Sequence, residues 1–332
     1  MSTERKAMQE ILSVQDLNVH FSTSTGDVKV LNGISFQQTE SQIYCIVGEN
    51  GSGKTTLALA IMGLLPETAK IVSGSISFQG VDLLNATHAA MNSMRGRDIS
   101  MVFQDARAAL NPVLTIGKQL EEAIFAHNAM SKEKGRTYSL EILSELGLSN
   151  PKKILDSYPF NLSGGMCQRV MLAISLVNKP KLLIADEVTS ALDVTLQADV
   201  LDRLKTLCGD FGTAILFISH DFGVVANMAH HVGVLYSGTL VESAPVLDLF
   251  SKPTHPYTSA MIEALPRLDD PDKKLTSLPG KSPSVNELSW ECPFLTRCNK
   301  ATMICRSQPR PLLSEIRPAH LVACYNPLSF VN

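Results

Sequence analysis

No stretch of the 332-residue sequence approaches the roughly 18 to 20 uncharged apolar residues that a membrane-spanning helix needs. No apolar run follows the charges of Met1-Ser2-Thr3-Glu4-Arg5-Lys6, so this start does not read as an export signal. Sustained heptads and internal repeats are missing as well, which argues against long coiled coils and repeat arrays. A net charge of −3 supplies neither a basic field for nucleic acid nor an acidic tail. Gly 20 and Pro 17 are too few for collagen or low-complexity chains. The seven cysteines are an odd number in a chain read without an export signal, against a disulfide framework. The expectation is a soluble, intracellular globular protein with one large core and room for a second small one.

Two β-rich stretches, Ile11 to Phe21 and Val28 to Phe36, are split by Ser-Thr-Gly-Asp and read as a strand pair. Ile43 to Val47 is a continuous apolar run stopping at Gly48, the pattern of a strand buried on both faces. Thr55 to Leu65 reads as a helix stopped by Pro66, and Ser75 to Gln79 and Ile99 to Gln104 as strands. Between Thr115 and Leu148 the period becomes helical: Ile116, Leu120 and Ile124 share one face, and Ile142, Leu143 and Leu146 another. Buried strands return at Leu182 to Ala185 and Ala214 to Ile218. Ser237-Gly238 between Val232–Tyr236 and Thr239–Glu242 is a two-residue hairpin signal. Strands alternating with helices predict an α/β core with a mainly parallel sheet. Beyond Leu265 the prolines multiply, and Asp269 to Lys274 reads as a solvated linker before a small module or extended appendage.

Gly48-Glu49-Asn50-Gly51-Ser52-Gly53-Lys54-Thr55 fits G-x-x-x-x-G-K-[ST] between a buried strand and a helix, where a phosphate-binding loop must lie. Its glycines let backbone N–H groups converge on one concavity, and the helix start adds positive potential. Lys54 is expected on the β- and γ-phosphates, the Thr55 hydroxyl on Mg²⁺, with Thr56 beside it. Leu182 to Glu187 is an apolar strand ending in two carboxylates: Asp186 for Mg²⁺ through water, and Glu187 to polarise the attacking water. Leu162-Ser163-Gly164-Gly165-Met166-Cys167-Gln168-Arg169 opens another helix, a second anion-facing terminus. One chain seldom needs two such termini for one nucleotide, so the second is read as serving the ATP of a partner molecule.

At residues 10 to 250 the chain resembles the ATP-binding cassette (ABC) ATPases, whose signature Leu-Ser-Gly-Gly-Met-x-Gln-Arg stands here at Leu162 to Arg169. The resemblance implies a head-to-tail dimer in which one chain's phosphate loop and the other's Ser163, Gly164 and Gly165 enclose each ATP. It implies Gln104 as a sensor joining Mg²⁺ and water to a helical subdomain. It also implies Asp193 of Ser190-Ala191-Leu192-Asp193 at the dimer interface, His220 as the γ-phosphate switch, and Phe21 stacked on adenine. The fold it implies is a P-loop ATP-binding-cassette core, α/β and mainly parallel with an antiparallel β subdomain. A helical subdomain is inserted at about 105–170, and a small Cys-rich C-terminal extension follows. The expected domains are residues 1–265 and 266–332. One departure is Val188 where these ATPases carry Pro; Pro would hold Glu187 extended, and Val is expected to favour that geometry less rigidly.

His255-Pro256-Tyr257-Thr258-Ser259-Ala260-Met261-Ile262-Glu263-Ala264-Leu265-Pro266 resembles the segment closing the cassette in ATP-binding subunits of oligopeptide, dipeptide and nickel importers. A four-cysteine tail follows in that group, here Cys292, Cys298, Cys305 and Cys324, and some members hold a [4Fe–4S] cluster on such cysteines. Four thiolates suit Fe–S or zinc; the absence of close C-x₂₋₄-C pairs leans toward the cluster, with zinc or unligated thiols as alternatives. Cys45 and Cys208 read as core residues and Cys167 as a variable position. The implied function is the ATP-hydrolysing motor of an importer of oligopeptides or dipeptides, peripheral on the cytoplasmic face of the inner membrane. Its implied partners are a second, non-identical ABC ATPase, two permease subunits and, indirectly, an extracytoplasmic substrate-binding protein; no nucleic acid is expected. Nickel, metal-chelate or opine cargo, and a soluble non-transport ABC ATPase, stand as the alternatives.

Overall fold

The computed structural model describes residues 9–24, 26–189, 194–265, 278–283 and 290–329. Its strands in chain order are β1 (Glu10–Thr23), β2 (Gly26–Thr39), β3 (Ile43–Val47), β4 (Ala69–Phe78), β5 (Val81–Asp82) and β6 (Ile99–Val102). Then come β7 (Leu182–Asp186), β8 (Ala214–Ser219), β9 (His231–Tyr236), β10 (Thr239–Pro245), β11 (Ser314–Arg317) and β12 (His320–Val322). The helices are α1 (Lys54–Met62), α2 (His88–Met94), α3 (Ala106–Ala109), α4 (Ile116–Phe125), α5 (Lys132–Glu145) and α6 (Pro151–Leu155). They continue as α7 (Gly164–Leu176), α8 (Val194–Phe211), α9 (Phe222–Met228), α10 (Val246–Ser251), α11 (Pro256–Glu263) and α12 (Met303–Ser307). Contacts divide the chain into two compact units. One is built from residues up to Ile11, Thr39–Gln42 and Asn85–Phe217, the other from Leu12–Gln38, Ile43–Leu84 and Ile218 onward.

In the first unit β6 and β7 run parallel, Ile99 opposite Leu182, and every residue of both is buried. Apolar side chains on both faces are what a strand covered on both sides requires, so the continuous apolar runs were the correct signal. The helices α4, α5 and α7 each start at a hydroxyl cap. Thr115, Ser131 and Ser163 accept from the backbone N–H of Lys118, Lys134 and Met166, satisfying donors that the first turn leaves unpaired. Ile116, Leu120, Ile124, Ile142, Leu143 and Leu146 are all buried, as the helical period predicts. The α7 helix is fixed by Arg169, whose Nη1 donates to Gly147 O (2.9 Å) and Leu146 O (3.3 Å) while Nη2 pairs with Asp199 (3.1 Å).

The second unit holds two sheets. One has the order β2-β1-β4-β5, realising the predicted strand pair at greater length. In the other, β3 pairs in parallel with β9, and β9 continues antiparallel through β10 and β12 to β11. The expected mainly parallel sheet is therefore mixed. Ser237 (φ 44) and Gly238 (φ 75) make the tight hairpin that reverses β10, and the tail strands add to it. Glu242 on β10 is fully buried and accepts from Thr254 N (2.7 Å), His255 N (2.9 Å) and His320 Nε2 (2.7 Å), tying β10 to the start of α11 and to β12.

Two element ends differ from expectation. The α1 helix stops at Met62, not Leu65, because Gly63 turns left-handed (φ 62) and Gly63 N and Leu64 N bond back to Ala60 O and Leu59 O. The β6 strand ends at Val102, which leaves Phe103 and Gln104 beyond it. The predicted linker Asp269 to Lys274 lies outside the described residues.

Candidate functional site

In the second unit, the buried strand β3 delivers the chain to Gly48, where the chain tolerates no side chain. A Cβ there would stand 2.0 Å from Leu235 O. Gly53 caps α1 at φ 102, a conformation that L side chains rarely adopt. The turn of the β9–β10 hairpin supports the loop from behind through Gly238 N donating to Ser52 O (2.9 Å). Lys54 is buried, and its Nζ donates to Gly48 O (2.8 Å) and Glu49 O (2.9 Å), so the ammonium lies inside the loop's own curl. Ser52 Oγ is buried with no hydrogen-bond partner, a donor that a phosphate oxygen would satisfy. Thr55 is exposed and Thr56 half-buried on the first turn of α1. His220 follows β8 and is exposed, and Phe21 lies half-buried on β1, paired with Ala69.

In the first unit, Asp186 ends β7 at 1% exposure and Glu187 follows it. Gln104 Nε2 donates to Glu187 Oε2 at 2.9 Å, so two of the predicted catalytic residues are brought into contact. The expected extended backbone at Glu187 is corrected: its φ is 48, in the left-handed region. Val188 beside it is buried, at 1% exposure. Ser163 caps α7, and a Cβ at Gly164 would meet nothing within 4 Å, leaving the helix start open. Asp193 lies outside the described residues.

The oxygen donors Thr55, Gln104 and Asp186 are of the kind that Mg²⁺ takes. The four tail cysteines, all in the second unit, line one small cavity of about 10 Å³. That is space for about one water, and among the described residues no group of three or more His, Cys, Asp or Glu is arranged to hold a metal ion. Burial pushes the Cys292 thiol up to about 11 and that of Cys324 to about 12. Cys45 and Cys208 are core residues, as expected, and so is Cys167, whose thiol is buried against Pro159 O (3.5 Å).

One contact had no counterpart in the sequence reading. Arg297, from the turn between Cys292 and Cys298, forms a bidentate pair with Glu49 of the phosphate loop: Nη1 to Oε2 at 2.9 Å and Nη2 to Oε1 at 3.1 Å. Burial works to raise the Glu49 carboxyl, but the hydrogen bonds from Arg297 and Ser282 and the Arg297 charge outweigh it and hold it below the ordinary carboxylate range. The available signal was Glu49 itself: an acid among phosphate-binding residues needs a cation.

The phosphate loop makes this a P-loop nucleotide hydrolase, and the Ser163-Gly164-Gly165 start of α7 narrows the class to ATP-binding cassettes. Comparison with known proteins agrees. The ABC transporter family profile matches residues 31–190, and that of the oligopeptide/dipeptide transporter C-terminal region matches residues 241–305. A probable peptide ABC transporter ATP-binding protein of Sinorhizobium fredii is 42% identical over 324 residues, 97% of this chain and 96% of the relative. The oligopeptide transport ATP-binding protein OppD of Escherichia coli is 42% identical over 318 residues, 96% of this chain and 94% of its own. Among solved structures, the dimeric ATP-binding cassette MJ0796 bound to ADP and Pi superposes with a TM-score of 0.65 at 26% identity, covering 71% of this chain and 99% of that one. The chain belongs to the ABC transporter family, with the ATP-binding proteins of oligopeptide and dipeptide transport. It is an ATP hydrolase, and no described helix is long and apolar enough to cross a membrane.

Proposed function

We propose that this chain is the motor subunit of an importer of oligopeptides or dipeptides, hydrolysing ATP to drive separate permease subunits. The observation that carries the cargo class is the end-to-end likeness to peptide-transport ATP-binding proteins, which extends through the tail as well as the cassette. The loop Gly48, Glu49, Asn50, Gly51, Ser52, Gly53, Lys54, Thr55 and Thr56 binds the phosphates, with Phe21 on the adenine. Mg²⁺, when bound by Thr55, Gln104 and Asp186, neutralises phosphate charge. Glu187 accepts the proton of the attacking water, Gln104 orients Glu187, and His220 reads the γ-phosphate. Ser163, Gly164, Gly165 and Asp193 serve the nucleotide of a partner cassette, related but non-identical. Residues 105–170 form the helical subdomain that meets the permease, and the motor sits on the cytoplasmic face of the inner membrane.

The finer reading of the tail is that Cys292, Cys298, Cys305 and Cys324 take a [4Fe–4S] cluster, with zinc as the alternative. Their shared cavity and their four soft donors support it, although as placed they form no metal site, and no step of the mechanism passes through it. Iron, zinc and acid-labile sulfide analysis of anaerobically purified protein decides it; absence of all three removes the reading. The importer role is tested by tagging the chain and identifying what co-purifies from detergent-solubilised membranes. Two integral permeases and a second cassette are expected, together with loss of peptide uptake on deletion. Recovery of ribosomes or nucleic acid instead overturns it.

A further inference from the structure

The Glu49 carboxylate belongs to the loop that receives a triphosphate, so its negative charge opposes the ligand. The structure meets that cost from far along the chain. The Arg297 side chain is only 6% exposed and its guanidinium is used on every side. It forks onto both oxygens of Glu49, Nε donates to Pro279 O (3.0 Å), and Nη1 also lies 3.2 Å from Tyr236 Oη. Ser282 Oγ donates to the same Glu49 Oε2. The Glu49 backbone is held as well: its N–H donates to Tyr257 Oη (3.2 Å), and its carbonyl accepts from Lys54 Nζ. A planar fork of this kind fixes orientation as well as charge.

We propose that Arg297 is a positioning residue for ATP binding: it neutralises Glu49 and fixes the second residue of the phosphate loop, which makes the C-terminal tail a working part of the nucleotide site. Two physical consequences follow. Without Arg297, Glu49 is a negative charge released toward the phosphates, and the carbonyl that curls around Lys54 loses its anchor. Without both charges, the repulsion is gone and most of the affinity returns. A contact that merely stabilised the fold would move the unfolding temperature and leave the ATP affinity of the folded protein unchanged.

The inference rests on reading Gly48–Thr55 as the phosphate loop, so the experiment carries a control for that reading. ATP affinity, KM and kcat are measured on the full chain for wild type, R297Q, R297K, E49Q, E49Q/R297Q and K54A, alongside thermal unfolding. Arg297→Gln is expected to weaken ATP binding about tenfold, within the usual range of coupling between two sites, with kcat changed by less than about twofold. Arg297→Lys, which keeps the charge but not the fork, falls between, and E49Q/R297Q recovers most of the loss. ATP affinity of R297Q equal to wild type overturns the proposal. So does an E49Q/R297Q protein that binds as weakly as R297Q, because the loss then does not run through the Glu49 charge. If R297Q does not fold, the comparison of R297K with E49Q/R297Q decides in the same way. If K54A binds ATP as wild type does, the phosphate-loop reading itself fails, whatever the Arg297 series shows.

Discussion

Gln104 Nε2 and Glu187 Oε2 stand 2.9 Å apart, so the amide that follows β6 grips the carboxylate that follows β7. The two strands are parallel neighbours buried along their whole length. Gln104 stands two residues past the end of β6 and Glu187 one past the end of β7, so the paired strands set how far apart their backbones lie. Glu187→Gln is expected to lower kcat by about 10² to 10⁴, the range for loss of a general base, while ATP binding persists. Gln104→Ala should give a smaller loss of the same kind. Phosphate release and nucleotide binding, measured on the same preparations, check both. A normal kcat for Glu187→Gln would remove that residue as the base.

Arg169 is the rivet of α7. Replacing it with Ala leaves Leu146 O and Gly147 O without their donor and breaks the Asp199 pair. A loss of about 2–3 kcal/mol in folding stability is expected, because unsatisfied buried acceptors cost more than an exposed ion pair gains. Urea denaturation of wild type and variant measures it.

Acid should loosen the second unit before it reaches the carboxylates in general. Burial pushes the His255 imidazole down to about 4, against about 6.5 in the unfolded chain. Between those values the unfolded chain binds a proton that the folded chain does not, so stability falls as pH drops through that window, by about 1.4 kcal/mol per unit. Above pH 6.5 the contribution is flat. His231, pushed to about 4 mainly by its own burial, adds in the same sense. His255 Nδ1 accepts from Tyr257 N (3.1 Å) as the cap of α11, and Asn can replace that acceptor without taking a proton. Thermal melts of His255→Asn between pH 7 and pH 4.5 should therefore be flatter than wild type.

Glu242 makes a sharper case. Three donors converge on its wholly buried carboxylate, one of them His320 from the tail. Glu242→Ala should cost about 3–5 kcal/mol, typical of removing one member of a buried charged network. Because β12 is among the groups released, limited proteolysis should cut the tail of this variant first. A digestion pattern identical to wild type would show that His320 is not what holds β12.

The parts of this protein that announce themselves in the sequence are those whose cause is local. Ile43 to Val47 and Leu182 to Ala185 are legible as buried strands because apolar side chains must fill both faces. Gly48 to Thr55 is legible because its glycines and Lys54 are needed within a few residues of one another. Where local signals compete, reading by pattern slips: Gly63 stops α1 before Pro66 can, and Glu187 takes a left-handed turn that the residue after it does not encode. Contacts that join distant segments leave no periodicity at all. Nothing around Arg297 reports that its partner is Glu49, and nothing around Glu242 reports that three donors will surround it. A lone acid in a phosphate loop was the one hint, and it indicates the need for a cation without saying where in the chain that cation lies.

The pairing of Glu49 with Arg297 spans 248 positions of the chain. At the usual 5–20 residues per second of synthesis, the loop waits on the order of 10–50 s for its cation after it leaves the ribosome. During that interval Glu49 stands in its loop without the guanidinium that neutralises it in the finished fold. The order of the chain therefore sets a delay between making the loop and supplying the cation that faces its acid.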